Sequence, residues 1–357
     1  MSKRRTTLKD IADAIGVHTS TVSRALDPKT RHLITAKIAA RIVAAARERG
    51  YRPNAIASSL RTRRSMTIGV VVPDITNAVF PPILRGIEDT LTPEGYIAMI
   101  ANSDSDPERE SMLIDTLRAR GVDGLILASA QREDPAISRA VEEGIPIVTV
   151  NRKVDDPNVS SVTNDEASGI GLAVRHMIEL GHRQIAHIAG PRSLSTGLMR
   201  HDAFLAALRA SGIAPDHELI SSSTAFNEGE GERCCRSLLD LSTGSAARRF
   251  TAIVCANDRL AIGAIKALRD AGHACPHDVS VSGYNDMDFV DRIDPPLTTV
   301  RIQKREAGAR TAAILLDRLR KPRHEAEHVV LPVELVARGS TAPVRRRQVA
   351  VRSRHVA

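Results

Sequence analysis

At 357 residues the chain is too long for one typical core, so two or three domains are expected, and a hydrophobic content of 42% is enough to pack them. Residues 1–64 hold 15 Lys and Arg against 4 Asp and Glu, residues 345–357 hold 5 Arg and no acid, and the 280 residues between hold 30 basic against 38 acidic groups. That segregation is the charge footprint of a polyanion binder, and with no apolar run near the roughly 20 residues of a spanning helix it argues against a membrane protein.

The first ten residues are polar and basic and carry no signal-peptide pattern. Cys234, Cys235, Cys255 and Cys275 lack metal-ligand spacing, so they read as buried thiols and the expected setting is the reduced cytoplasm.

Thr7-Leu8-Lys9-Asp10 has the form of a capping box, and Leu8, Ile11, Ala12 and Ile15 then fall on one helix face before Gly16 ends it. A second helix follows, capped by His18, Thr19 or Ser20, with Val22, Ala25 and Leu26 inward and Asp27-Pro28 at its end. A third runs from about Thr35 to Arg49 with Ile38, Ile42, Val43 and Ala46 inward, and Gly50 stops it. Two short helices on a tight glycine turn, backed by a third, predict a helix-turn-helix whose second helix enters the DNA major groove. Thr19, Ser20 and Arg24 lie on its polar face, where Arg24 suits a bidentate contact with guanine worth about 1–3 kcal/mol of discrimination. Thr7, Thr21 and Ser23 are placed for phosphates, which position a protein without reading sequence.

Pro53 halts the third helix's extension, and Asn54 can cap a new helix too short to be stable alone. A marginal helix between a basic module and a large body reads as a conditional coupler.

Beyond residue 66 apolar strands begin near Ile68, Tyr96, Leu125 and Ile145, with helices near 81–92, 107–120 and 135–143. A second series has strands near Ser161, Ile185, Leu219, Ile253 and Val279, with helices near 166–180, 200–211, 228–241 and 258–271. The alternation predicts an α/β class: an N-terminal helical domain, then two doubly wound parallel-sheet subdomains with a ligand cleft at their strand C-terminal ends. No phosphate-cradling glycine loop, nucleophile elbow or carboxylate-bearing metal motif appears, and His182 and His187 read as surface or core residues. A binding protein without cofactor or metal is expected, rather than an enzyme.

Thr7–Val17, Thr21–Leu26 and Gly50–Ala55 closely resemble the LacI/GalR repressor family. The resemblance implies that Asn54–Arg61 is a hinge helix folding on operator binding, with Leu60 wedged into the central base step. It adds His18, Tyr51, Asn54 and Ala57 to the DNA-facing set. In the body Pro73–Phe80, Val122–Ile126, Gly181–Ala186, Ala256–Ala261, Gly283–Asp286 and Pro296–Val300 resemble the family's effector domain, which is itself similar to periplasmic sugar-binding proteins. The implied domains are 1–53 for DNA binding, 54–65 for the hinge, 66–340 for effector binding and dimerisation, and 341–357 as a basic tail. The implied effector contacts are Asn77, Phe80, Asn151, Arg152, Asp165, Arg200, Asn257 and Asn285, of which Arg200 matters most.

The chain departs from the family pattern where His18 replaces a Ser cap, Ser58 an Arg, Ala78-Val79 a Pro-Phe pair and Asn285 an Asp. With no Trp and 2% aromatics, a smaller or acidic ligand met by Arg152 and Arg200 stands beside a sugar or sugar acid. The expected protein is a dimeric repressor on a near-palindromic operator, its DNA affinity switched by that effector. The rivals are a transport solute-binding protein, which needs an export signal, and a sugar-metabolising enzyme with a DNA-binding extension, which needs catalytic groups.

Overall fold

The computed structural model describes residues 6–27, 30–51, 64–242, 250–321 and 325–344. The chain forms two compact units, Met1–Ser65 and Met66–Ala357. The expected hinge residues Asn54, Ala57, Ser58 and Leu60, and the basic tail from 345, lie outside the described residues.

The first unit holds helices α1 (Leu8–Ile15), α2 (Thr19–Leu26) and α3 (Ala36–Glu48). Thr7 and Asp10 form a reciprocal capping box on α1, and Gly16 ends it with φ 75, a left-handed conformation that glycine adopts without penalty. Ile11, Ala12, Val22, Ala25, Ala39, Ile42 and Ala46 make its core. Here one expectation is corrected. Val43 is exposed while Ala39 is buried, because the inward stripe of α3 runs through 39, 42 and 46 and leaves Val43 on its flank.

The second unit has a six-stranded parallel sheet in the order β11-β5-β4-β3-β1-β2. Its strands are β1 (Thr67–Val72), β2 (Ile97–Asn102), β3 (Gly124–Leu127), β4 (Ile147–Val150), β5 (Ser160–Asn164) and β11 (His328–Leu331). Helices α4 (Phe80–Leu91), α5 (Pro107–Ala119) and α6 (Pro135–Glu142) belong to this subdomain. Asp106 and Asp134 cap α5 and α6, each followed by a proline whose missing N–H is no loss in the first turn.

A four-stranded parallel sheet, β7-β6-β8-β9, forms the second subdomain from β6 (Ile185–Ala189), β7 (Ile220–Ser222), β8 (Ala252–Cys255) and β9 (Ser280–Ser282). It is joined by α7 (Glu166–Glu179), α8 (Ser195–Ala210), α9 (Glu228–Ser242) and α10 (Asp258–Asp270). The four free cysteines pack in or against this subdomain's core. Ser160–Asn164 pairs with β4 and β11, so it completes the first sheet and does not open the second series as the spacing suggests.

After β10 (Thr299–Arg301) the chain returns to the first subdomain as α11 (Lys304–Arg320) and β11, then crosses again to β12 (Glu334–Val336), which pairs antiparallel with β10. Helices α4 and α11 meet backbone to backbone: a Cβ on Gly86 would collide with the Arg305 carbonyl, and one on Gly308 with that of Ile83. Gly231 and Gly263 make the equivalent reciprocal approach between α9 and α10. No helix among the described residues is long and apolar enough to cross a membrane.

Candidate nucleic-acid interface and ligand cleft

Helix α2 follows the Gly16 turn and packs Val22 and Ala25 inward, leaving Ser20 and Arg24 exposed and Thr19, Thr21 and Ser23 half-buried. Of the three expected capping candidates the structure selects His18. Its Nδ1 accepts from the Ser20 N–H at 3.2 Å and lies 2.8 Å from the Ser20 hydroxyl. A histidine therefore does the work of the family's usual Ser cap, with the imidazole at the mouth of the helix. Thr7 donates its hydroxyl to Asp10 and caps α1, and the Thr6 hydroxyl holds the Arg49 carbonyl at the end of α3. Tyr51 packs against the core of the unit. The described part of the DNA-facing set thus shares one small, capped, basic unit.

In the second unit a cleft of about 420 Å³ opens between the subdomains. Asp74 and Asn77 follow β1, Asp104 and Ser105 follow β2, Ser129 and Gln131 follow β3, and Arg152 follows β4. From the other side come Ser193 after β6, Phe226 and Asn227 after β7, and Arg259 after β8. In each sheet the strand order reverses beside the strand that begins it, β1 or β6, and a crevice at the C-terminal ends is the ligand site such topology provides. Among the described residues Phe226 is the single aromatic ring in the lining, and its edge lies against Gly190, where a Cβ would collide with it.

Two buried charged groups of this wall, Glu110 and Arg152, both bond to Ser129. The Ser129 hydroxyl donates to Glu110 at 2.6 Å, and Arg152 donates to the Ser129 carbonyl at 2.9 Å. Burial pushes the Glu110 carboxyl up to about 7, with Ser129 and Arg152 opposing and Asp134 adding to the rise. Burial also pulls the Arg152 guanidinium down to about 10, against the attraction of Glu110 and with the repulsion of Arg200. On the opposite edge Arg259 pairs with Asp74 at 2.8 Å and with Glu228 at 2.8 Å.

Of the residues expected to meet effector, Asn77 and Arg152 line this cleft. Phe80 begins α4 with its ring in the core. Asp165 caps α7 by accepting from the Ser168 N–H, and Asn257 caps α10 by accepting from the Leu260 N–H. Arg200 is buried, donating to both oxygens of Glu166 and to the Ala256 carbonyl. Asn151 and Asn285 are buried in left-handed backbone conformations, φ 65 and 116, and their amide oxygens lack a hydrogen-bond partner. Glu110, Ser129, Phe226 and the Asp74–Arg259–Glu228 group were not anticipated. Asp74 and Arg259 lie inside quoted family-like stretches, but their pairing spans 185 residues and leaves no local signal.

Residues 7–54 match the family model described as bacterial regulatory proteins of the lacI family, and residues 174–341 match a periplasmic binding protein-like domain. The ribose operon repressor of Escherichia coli (strain K12) is 31% identical over 338 residues, spanning 94% of this chain and 99% of that protein. The chain belongs to the LacI family of transcriptional regulators.

The HTH-type transcriptional regulator RegA of Clostridium saccharobutylicum is 33% identical over 337 residues, again 94% of this chain and 99% of that protein. Among solved structures, a lac repressor dimer bound to operator and the anti-inducer ONPF matches 95% of this LacI-family chain and 100% of its own, with TM-score 0.82 and 27% identity. The transcriptional regulator CelR–cellobiose complex matches 94% and 100%, with TM-score 0.72 and 30% identity. Ser193, Phe226, Asn227 and Arg259, which form one wall of the cleft, fall within the residues that match a periplasmic binding protein-like domain.

Proposed function

We propose that this LacI-family regulator is a repressor that binds a near-palindromic DNA operator as a homodimer and is switched by a small molecule held between its two effector subdomains. The observation that carries the reading is the pairing, in one chain, of a capped helix with an exposed polar face and a cleft at the strand ends of two parallel sheets. Thr7, His18, Thr19, Ser20, Thr21, Ser23, Arg24 and Tyr51 would form the DNA side of the described unit, completed by Asn54, Ala57 and Leu60. Solved relatives hold cellobiose in one case and operator DNA in another, which supports both halves of the reading.

The charge arrangement narrows the effector. Arg152 is engaged by a carbonyl and faces Glu110, while Arg259 is engaged by two carboxylates. A cleft whose cations are already engaged favours an uncharged, hydroxyl-rich ligand, and Ser105, Gln131 and Asn227 in its lining are polar groups of the kind sugar hydroxyls pair with. This reading favours a neutral sugar over the acidic ligand that the arginines suggest from sequence alone. Arg200 would act by holding the second subdomain's site rigid.

Dimer formation is supported by the edge strand β2, which exposes Ile97 (71%), Met99 and Ile100, with Met112 of α5 also exposed. An apolar, unpaired edge is a natural surface for a second copy to cover. The protein would act by binding without turnover, in the cytoplasm where its operator is found. Thermal-shift measurements with neutral pentoses, hexoses and disaccharides beside their aldonic and uronic acids test the effector class. Stabilisation by neutral sugars is expected; stabilisation by the acids alone would contradict the charge argument.

A further inference from the structure

Two kinds of contact bridge the cleft. On one edge the Arg259 guanidinium, mounted at the start of α10, reaches Asp74 of the opposite subdomain, Nη1 to Oδ2 at 2.8 Å. On the other side the Arg132 N–H donates to the Ser193 carbonyl at 3.0 Å, and the Lys153 N–H donates to the Ser195 hydroxyl at 2.9 Å.

The ion pair is built with more care than an ordinary surface bridge. The second oxygen of Asp74 is held by both the N–H and the hydroxyl of Thr76, which turns Oδ2 toward Arg259. Arg259 is in turn fixed by a two-point pair with Glu228, Nε to Oε1 at 2.8 Å and Nη2 to Oε2 at 2.9 Å. Glu228 and Arg259 lie in the first turns of two helices locked together at Gly231 and Gly263, so the guanidinium stands on a rigid base. Burial works against the charge of Asp74, yet the bonds from Thr76 and Arg259 hold its carboxyl below the usual range. Asp74 and Arg259 both line the cavity, so the bridge is part of the wall a ligand must pass.

We propose that Arg259 sets the resting state of the cleft: its bridge to Asp74 holds the two subdomains closed without ligand, and effector exchange requires that bridge to open. The inference rests on the cleft being the effector site and deepens that reading, because it assigns the ligand-free protein a closed state. An effector then acts on operator affinity through its differential fit to the clasped and unclasped forms.

Hydrogen–deuterium exchange on the ligand-free, full-length protein reads the clasp directly through the amides of Arg132 and Lys153, which donate across the cleft. Both are expected to be protected in the wild type, and Arg259→Gln and Asp74→Asn are each expected to raise their exchange roughly tenfold. The double variant should add nothing further. Amides within β6 and β8 serve as the control and should not change. If Arg259→Gln fails to fold, Asp74→Asn, in a surface loop, answers alone. Unchanged exchange at Arg132 and Lys153 in Asp74→Asn would overturn the clasp. DNA selection with the wild-type protein is read separately, so loss of the regulator reading and loss of the clasp are distinguishable.

Discussion

The Arg200 guanidinium lies 3.8 Å from the centroid of the Tyr284 ring while donating to both oxygens of Glu166, with only 2% of Arg200 exposed. Glu166 opens α7, Tyr284 follows β9, and Ala256, which accepts a third bond from Arg200, follows β8. One side chain thus ties together three elements where the chain enters the second subdomain.

Removing one partner of such a pair leaves the other charge buried and unpaired. Arg200→Ala is expected to lower stability by about 3–5 kcal/mol, read by urea unfolding. The double variant Arg200→Met with Glu166→Gln should recover most of that loss. A loss in Arg200→Ala below about 1 kcal/mol would mean the pair is not structural.

Glu110 gives a pH dependence with a definite sign. Its carboxyl is raised from 4.5 to about 7 in the folded protein, so between those values the native state keeps a proton that the unfolded state has released. Stability from this group therefore falls as pH rises through that window and is level on either side. Asp258, also raised to about 7 by burial, acts in the same direction, so the comparison must be with Glu110→Gln. The wild type should lose on the order of 3 kcal/mol relative to that variant between pH 4.5 and pH 7.5, read from urea midpoints. Parallel curves would show that Glu110 ionises normally.

These two groups mark the limit of what the sequence reveals. The capping box at Thr7 and Asp10, the Gly16 turn and the alternating strands and helices are local patterns, and all are legible along the chain. The placement of Ser160–Asn164 is not, because a short strand carries no mark of which parallel neighbour it will join. The family-like positions identify Arg200 as important, but its partner Glu166 is 34 residues away, so whether the fork faces ligand or protein is invisible before folding. Glu110 carries no mark along the chain, and its contacts with Ser129 and the neighbouring Arg152 arise only in the fold.

Helix α2 offers a way to separate stability from the proposed base reading. His18→Ala removes the cap of α2 and is expected to cost about 0.5–2 kcal/mol of stability in the DNA-binding unit, while His18→Ser keeps a capping oxygen and most of that stability. Arg24 is exposed, so Arg24→Ala should leave the melting temperature unchanged and relax preference at one base pair per half-site by about 1–3 kcal/mol. Unchanged preference in a binding selection would remove Arg24 from the base-reading set.

Gly308 faces the Ile83 carbonyl at the crossing of α4 and α11. Gly308→Ala should force the two helices apart and destabilise the effector unit by about 1–3 kcal/mol or more, whereas Gly212→Ala, in open space but with φ 70, tests backbone strain without a collision. A silent Gly308→Ala in thermal unfolding would contradict the close approach.

The most direct test of the account is selection of bound fragments from a random DNA pool by the full-length protein, at one stated salt concentration near physiological. Enrichment of two inverted major-groove half-sites flanking a deformable central step is expected, with the preference at one position per half-site lost in Arg24→Ala. No enrichment, either alone or with a mixture of neutral sugars present, would contradict the reading of this chain as an operator-binding repressor.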